Sequence, residues 1–396
     1  MKIRLNGKRF GEILAMLKAA VDTKSSMPIL GSVMVMAENG RVRFRATDLS
    51  TEVLLAMPAV VLEAGDLLMS PHKVAKALGT WKGDVTLYSA ESLMGAPPKM
   101  SLEIDGMVSE FEELPAADFP DGMKVGGSVL FEMPQSQWKL GMQRVAYAMS
   151  RDKTRESLKC LHLHGHTSMG LVFEATDGHR CVRWVSGVDS PEMGAGMGPL
   201  KAMLPGPGVV AIQRLLSGYT GPFEYLHPTP GMLAAVVDVP TGSRVSMRRT
   251  DAEFPHLDHV IPQDWGMGMA VDAEVLLGAM KRFDDGVKLT LEEGAETVLL
   301  ESNDTTGKRS MRVAVRSITR GTMPKEEPKE AHPPDDAPKE EQPKETTYKV
   351  SMVARYMKEA MEAMGKDVVT IGVRGELDPI LLIGSDCIAV VMPMRP

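Results

Sequence analysis

Cysteine, aromatic residues and long apolar runs are all scarce in this chain. Three cysteines, Cys160, Cys181 and Cys387, are spread over 396 residues. That number and spacing exclude a disulfide framework and a CxxC metal pattern, and a reducing compartment is expected. No stretch approaches the roughly 18 apolar residues of a membrane span. The opening Met1–Arg9 segment lacks the apolar centre of a signal peptide, so a soluble, cytoplasmic protein is expected. A basic excess is missing as well. The formal net charge of -7 argues against a protein that holds DNA by overall charge alone, while leaving room for local basic faces. Aromatics make up only 5% of the chain, against 31 methionines, so flexible thioether side chains must fill much of the core.

What the chain does have is an internal echo. A helical stripe, alternating strands and then Ala46-Thr47-Asp48 recur as Ala175-Thr176-Asp177 and, more loosely, as Ser302-Asn303-Asp304. The aspartates are about 130 residues apart, the size of one compact domain. Phe10, Ile13, Leu14, Leu17 and Val21 mark the first helix, Trp138, Met142, Val145 and Met149 the second, and Val275, Leu276, Ala279 and Phe283 the third. Strands are expected at Ser32–Met36, Cys160–His164, Leu171–Ala175, Val287–Leu291 and Thr297–Glu301. A second helix in each unit is expected near Pro71–Leu78, Val210–Leu216 and Met352–Met364. The fold class is therefore α+β, three repeated units of two helices on antiparallel sheets, at 1–125, 126–250 and 251–396. With 43% apolar residues, each unit can bury its own core.

One segment differs in kind. Pro324–Thr347 holds six prolines, four lysines and eight acidic residues, with alanine as its only apolar type. It cannot offset the entropy of ordering, and reads as a disordered acidic insertion in the third unit.

Two constellations suggest chemistry. His162-Leu163-His164 places imidazoles on one face of a strand, and with Asp177 would suit a metal-dependent hydrolase. No convincing acidic or cysteine partner set lies nearby in sequence, so metal binding is set aside. Asp177-Gly178-His179-Arg180 resembles an acid, a base and an anion clamp, yet an aspartate present in all three units reads better as a turn former that accepts backbone hydrogen bonds. No catalytic residue is assigned.

Basic residues opposite the apolar stripes are more informative. Lys8, Arg9, Lys18 and Lys24 accompany the first helix, and Lys73, Lys76 and Lys82 the next. Lys139, Arg144 and Arg151, Arg214, Lys281 and Arg282, and Arg355 and Lys358 accompany the others. On one helix such charges mean a solvated face. Repeated on six, they would track a phosphate backbone without reading sequence. A repeat scaffold that binds only proteins is the remaining alternative.

At this point the residues match a family. Met27-Pro28-Ile29-Leu30 with Ala46-Thr47-Asp48-Leu49, Leu114–Pro120, Ala175–Arg180, Phe254-Pro255 with Val260-Ile261-Pro262, and Val390–Arg395 resemble, in order and spacing, the beta subunit of bacterial DNA polymerase III, the sliding clamp. The resemblance implies a non-enzymatic processivity factor without cofactor or metal. It would be a head-to-tail homodimeric ring of six similar domains around duplex DNA, loaded by an ATP-driven clamp loader.

The same resemblance implies a cleft that receives short peptides of the replicative polymerase, the clamp loader and repair proteins. Its wall would comprise Arg155, Leu158, Thr176, Gly178, His179, Arg180, Cys181, Pro255, His259, Val260, Leu377, Pro379, Val390, Val391, Met392, Pro393, Met394 and Arg395. Cys181 stands where leucine is usual and His259 where arginine is common, which implies a shallower, less basic groove. Lys24 matches a DNA-contacting position; the other DNA-facing residues rest on helix faces alone. Phe111 and Phe283 are expected at the ring-closing edge.

Overall fold

The computed structural model describes the chain except residues 19, 91–97, 125–128, 153, 190–199, 219–221, 227–233, 239–241, 249, 251, 305–306, 323–346 and 395–396. The acidic insertion and Arg395 thus lie outside the described residues, apart from Thr347.

The chain order repeats one phrase. The first pass runs β1 (Lys2–Asn6), α1 (Gly7–Leu17), β2 (Val33–Glu38), β3 (Arg41–Thr47) and β4 (Thr51–Pro58), then β5 (Val60–Glu63), β6 (Gly65–Met69), α2 (Pro71–Leu78), β7 (Asp84–Ala90), β8 (Lys99–Ile104) and β9 (Met107–Glu112). The second runs β10 (Val129–Pro134), α3 (Gln135–Val145), β11 (Cys160–His166), β12 (Gly170–Thr176) and β13 (Arg180–Val185), then β14 (Lys201–Pro205), α4 (Gly206–Gly218), β15 (Pro222–Leu226), β16 (Ala234–Asp238) and β17 (Ser243–Met247). The third runs β18 (Asp264–Asp272), α5 (Ala273–Met280), β19 (Gly286–Glu292), β20 (Thr297–Asp304), β21 (Gly307–Ala314) and β22 (Ser317–Thr322), then β23 (Thr347–Val353), α6 (Ala354–Met364), β24 (Val368–Val373), β25 (Ile380–Ile383) and β26 (Cys387–Val391). Apart from β5 and β22, every half-pass is one strand, one helix and three strands.

The helices form where the apolar spacing requires. Phe10, Ile13, Leu14 and Leu17 of α1 are buried, and Phe10 stacks on Phe44 with ring centroids 5.7 Å apart, one of the aromatic contacts that set the first core. The Asn6 side chain accepts from the Arg9 amide and starts the helix. α6 begins at Ala354, later than the apolar spacing suggests, because Val350 and Met352 alternate as strand residues of β23, which pairs along β19. In α5 the buried stripe is Ala273, Leu276, Ala279 and Met280, while Val275 is 52% exposed.

Two compact units divide the chain, Met1–Met142 with Ser190–Asp251, and Gln143–Asp189 with Ala252–Pro396. In the first, an eight-stranded sheet runs β10-β15-β16-β17-β4-β3-β2-β6, beside a five-stranded sheet β5-β1-β7-β8-β9. In the second, strands follow the order β11-β12-β13-β26-β25-β24-β18-β22, beside a four-stranded sheet β21-β20-β19-β23.

One rule governs both long sheets. The last strand of a second half-pass joins the third post-helix strand of a first half-pass, β17 with β4 and β13 with β26. The equivalent strands that remain, β9 and β21, are each at the edge of their sheet.

Phe283, expected at an exposed edge, is 1% exposed and belongs to the third core, where its carbonyl accepts from Lys358 Nζ at 3.0 Å. Its position just past α5 completes the helix stripe, and that apolar role wins over display at an edge. Phe283→Ala should therefore cost about 3–5 kcal/mol, read as a shift in the urea unfolding midpoint. The shift should be the same at low and high protein concentration; a loss that grows on dilution would return Phe283 to an interface.

Candidate functional site

The Thr-Asp echo is a shared turn. At the first copy, Thr47 Oγ1 donates to the Thr51 carbonyl and accepts from the Leu49 amide, while Asp48 Oδ1 accepts from the amides of Ser50 and Thr51. At the second, Thr176 Oγ1 donates to the Arg180 carbonyl and accepts from the Gly178 amide, and Asp177 Oδ1 accepts from His179 and Arg180. The third residue is left-handed in both, Leu49 at φ 72° and Gly178 at φ 87°. Glycine enters that region without the steric cost of a Cβ, and at 178 a Cβ would also lie 3.0 Å from the Arg155 guanidinium. Asp177 is therefore occupied in holding the turn and does not join a hydrolytic set with His162 and His164. The side chains of Asn303 and Asp304 lie outside the described residues.

This turn presents His179 and buries Arg180. The Arg180 side chain is 8% exposed. It donates to Asp177 Oδ2 at 3.0 Å, to the Tyr147 carbonyl at 2.6 Å and to Glu359 on α6, and its guanidinium lies 5.0 Å from the Tyr147 ring centre and 4.7 Å from that of Tyr356. The expected anion clamp is thus a buried tie between the turn and α6. His179 stays exposed and stacks on Tyr356 at 6.2 Å. Burial pushes the Tyr147 hydroxyl well above its ordinary range.

By burial the expected groove residues separate into two sets. Thr176, Arg180, Cys181, Val390 and Val391 are buried and form the sheet beneath, since β13 and β26 pair Arg180 with Val391 and Cys181 with Val390. The other apolar residues of the set are exposed, Val260 by 40%, Leu377 by 65%, Met392 by 37% and Met394 by 40%. Arg155, Pro255, His259 and Gly178 are exposed, and Leu158, Pro379 and Pro393 half-buried. The Met392 amide donates to the His179 carbonyl at 2.9 Å and the Met394 amide to Ser351 at 2.7 Å, which pins the C-terminal segment across the surface. Ile380 pairs with Val391, bringing Pro379 to that segment's flank. Gly178 rests against Arg155 and Leu158. A polar cleft of about 220 Å³ adjoins, lined by Arg151, Arg155, Arg355, His179, Asp152, Asp177 and Glu359 among others.

The basic residues expected to face DNA do not share one environment. Lys24, Lys76, Lys82, Lys139, Arg151, Arg214, Lys281, Arg282 and Arg355 are exposed, while Lys73 is exposed beside Glu113 at 3.9 Å. Lys358 is half-buried on the Phe283 carbonyl. Arg144 is buried: it donates to the Ala363 carbonyl at the end of α6 and pairs with Asp367 at 3.3 Å and Asp386 at 3.6 Å. A carbonyl and two carboxylates outbid water for its guanidinium, so Arg144 is a structural clasp.

A third ionic cluster escaped the sequence reading. Glu174 lies directly across from His162 in the β11–β12 register and from Arg183 in the β12–β13 register. It is 4% exposed, and its Oε2 is 3.1 Å from His162 Nδ1 and 3.3 Å from His164 Nε2, while Oε1 takes Arg183 at 2.6 Å. Burial raises the Glu174 pKa, but the two facing imidazoles and Arg183 outweigh it and hold the carboxyl below its usual range. The three thiols are buried, and burial pushes Cys160 up to about 11 and Cys181 and Cys387 up to about 12, so none is an activated nucleophile.

Because the folded-state pKa of Glu174 is depressed, its stabilisation is present above the ordinary carboxylate range and is lost as the pH falls below it. Between about pH 5 and about pH 3 the urea midpoint of the wild type should fall more steeply than that of Glu174→Gln. Parallel slopes would mean that Glu174 titrates normally.

No protein-family model matches the chain. Curated relatives do: the beta sliding clamp of Caulobacter vibrioides strain NA1000 is 23% identical over 319 residues, covering 76% of this chain and 81% of that protein. The beta sliding clamp of Synechococcus elongatus is 22% identical over 395 residues, covering 96% and 95%. Among solved structures, the DNA polymerase sliding clamp of Bacillus subtilis superposes with a TM-score of 0.82 at 16% identity, covering 100% of this chain and 99% of that one. A sliding clamp (DNA polymerase III subunit beta) of Bartonella birtlesii bound to griselimycin gives 0.81 at 21% identity, with both chains fully covered. The chain thus has the fold of the solved bacterial sliding clamps over its whole length, and in sequence it is similar, at 22–23% identity, to proteins described as beta sliding clamps.

Proposed function

We propose that this chain is a DNA sliding clamp, a non-catalytic processivity factor that encircles duplex DNA and tethers a replicative polymerase. The observation that carries the reading is the strand rule, which the chain satisfies twice internally and leaves open once, at β9 and β21. These two edges are unlike. β9 carries Glu110 and Glu112 with half-buried Phe111 between them, whereas β21 carries Lys308, Arg309 and Arg312. Opposite charge and a terminal place in each sheet suit pairing of β9 from one protomer with β21 from another. A contact between unlike edges is head-to-tail, and two such contacts close a dimeric ring. Phe111 would then be covered at that joint, and the repeat domains at 1–125, 126–250 and 251–396 would be the ring's units.

Encirclement also accounts for the charge. A topologically linked ring needs only weak, non-specific phosphate contacts, which the exposed lysines and arginines of the helices supply while the net charge stays negative. After assembly on nicked circular DNA by an ATP-driven loader, the protein should remain on the circle at moderate salt and be lost once the DNA is linearised. Equal retention on both forms would reduce the interaction to ordinary electrostatics.

The second binding function is peptide capture. Val260, Leu377, Met392 and Met394 offer apolar contact beside His179 and Arg155, a surface suited to Leu or Phe anchors of a short linear segment from the polymerase, the clamp loader or repair proteins. Arg180, Cys181 and Thr176 shape it from below. Deletion of Met392–Pro396 should abolish binding of a labelled Leu/Phe-anchored peptide in fluorescence polarisation while leaving the sedimentation profile unchanged; undiminished binding would move the groove elsewhere.

A further inference from the structure

The cluster at His162, His164 and Glu174 has no part in the turn, the peptide surface or the strand edges. Its placement follows from the sheet. His162 and His164 are alternate residues of β11 and so share a face, and Glu174 is the cross-strand neighbour of His162 on β12. Two imidazoles from one strand and a third ligand from the next is an arrangement a flat β-surface provides without strain. The ligand atoms all lie within 4.8 Å of one another. The two contacts to Glu174 Oε2, 3.1 and 3.3 Å, match the edge of about 3.3 Å that a tetrahedron has when its zinc–ligand bonds are about 2.0–2.1 Å.

Three further observations point to a cation. His164 Nε2 is buried, faces Glu174 Oε2 at 3.3 Å and makes no well-aligned hydrogen bond there, a costly condition for a ring nitrogen. The carboxylate is oriented from behind: Arg183 holds Oε1 at 2.6 Å, leaving Oε2 toward the imidazoles, as outer partners of ligating carboxylates do. Arg183 is itself neutralised by Asp258 at 2.7 Å. With neutral imidazoles the cluster therefore carries one net negative charge. The imidazoles are stacked, with centroids 4.7 Å apart, and histidine χ2 is a broad torsion, so metal binding would reorient a ring.

We propose that His162, His164 and Glu174 form a binding site for a divalent transition metal, zinc in the first instance, with a fourth position left to water. The site would also brace a neighbouring segment. Phe254 stacks on His162 at 4.7 Å and Asp258 pairs with Arg183, and the stretch they bound continues to His259 and Val260.

The test uses the full chain, stripped with a chelator and titrated with zinc alone against a colorimetric competitor, then with cobalt(II). Wild type should take up one zinc per chain and give the visible absorption of four-coordinate cobalt. His164→Ala should bind at least about tenfold more weakly, since even outer-shell changes cost about 10–100-fold. His162→Gln, which keeps polarity and volume, should do the same with an unchanged far-UV spectrum. Uptake of less than one zinc by the wild type, or one zinc per chain retained by both variants, would overturn the site. The latter result would place the metal on exposed histidines such as the His256–His259 pair.

Discussion

The antiparallel seam between Arg180–Val185 and Cys387–Val391 underlies the candidate site. Backbone pairing there joins the second pass to the third and puts Arg180 beside Val391 and Trp184 beside Cys387. Around the seam, charge is buried in pairs. Arg180 ties the turn to α6, Arg144 ties the end of α6 to Asp367 and Asp386, and the Trp184 indole donates to Asp386 at 2.8 Å. Removing one member of such a set leaves another buried charge without compensation, a cost of about 3–5 kcal/mol. The exposed residues above the seam are positioned by it: His179 by the turn, Met392 by the His179 carbonyl.

The same arrangement separates two kinds of surface. Basic residues that remain exposed lie on several helices and in the turns beyond them, which suits a ligand of uniform charge and no fixed register. Exposed Met392 and Met394 lie on the C-terminal segment that leaves the sheet, and apolar side chains of this kind suit a ligand with few anchors and one register. Arginine serves both regions, but the arginines nearest the seam are committed internally and contribute shape.

Much of this was legible in the sequence because it depends on local spacing. The apolar stripe of α1, the span of α2, the alternation of β3 and the turn-forming aspartates all follow from period and residue type. The order of the echo gave the three passes. What escaped depends on register between distant strands. Glu174 stands across from His162 only because β11 and β12 pair in one register, and nothing in the local pattern of either strand marks the contact. Arg144 and Arg180 look like surface charges until α6 and the segment at 367–386 arrive to enclose them. Phe283 ends a helix stripe, and neighbouring polar residues disguised it as an edge. α6 starts two residues after the expected Met352 because Met352 alternates with Val350 as a strand residue of β23.

The seams also bear on how far such a chain can drift. Their holding interactions are N–H to C=O bonds, which every residue but proline can make, so a strand keeps its partner while its side chains change within the alternation of buried and exposed. Positions that resist replacement are then few: the left-handed Gly178, the aspartates that close the turns, the arginines enclosed by carboxylates. A TM-score of 0.82 at 16% identity is the outcome expected of a molecule whose architecture is stored in backbone pairing and whose individuality is left to its surface.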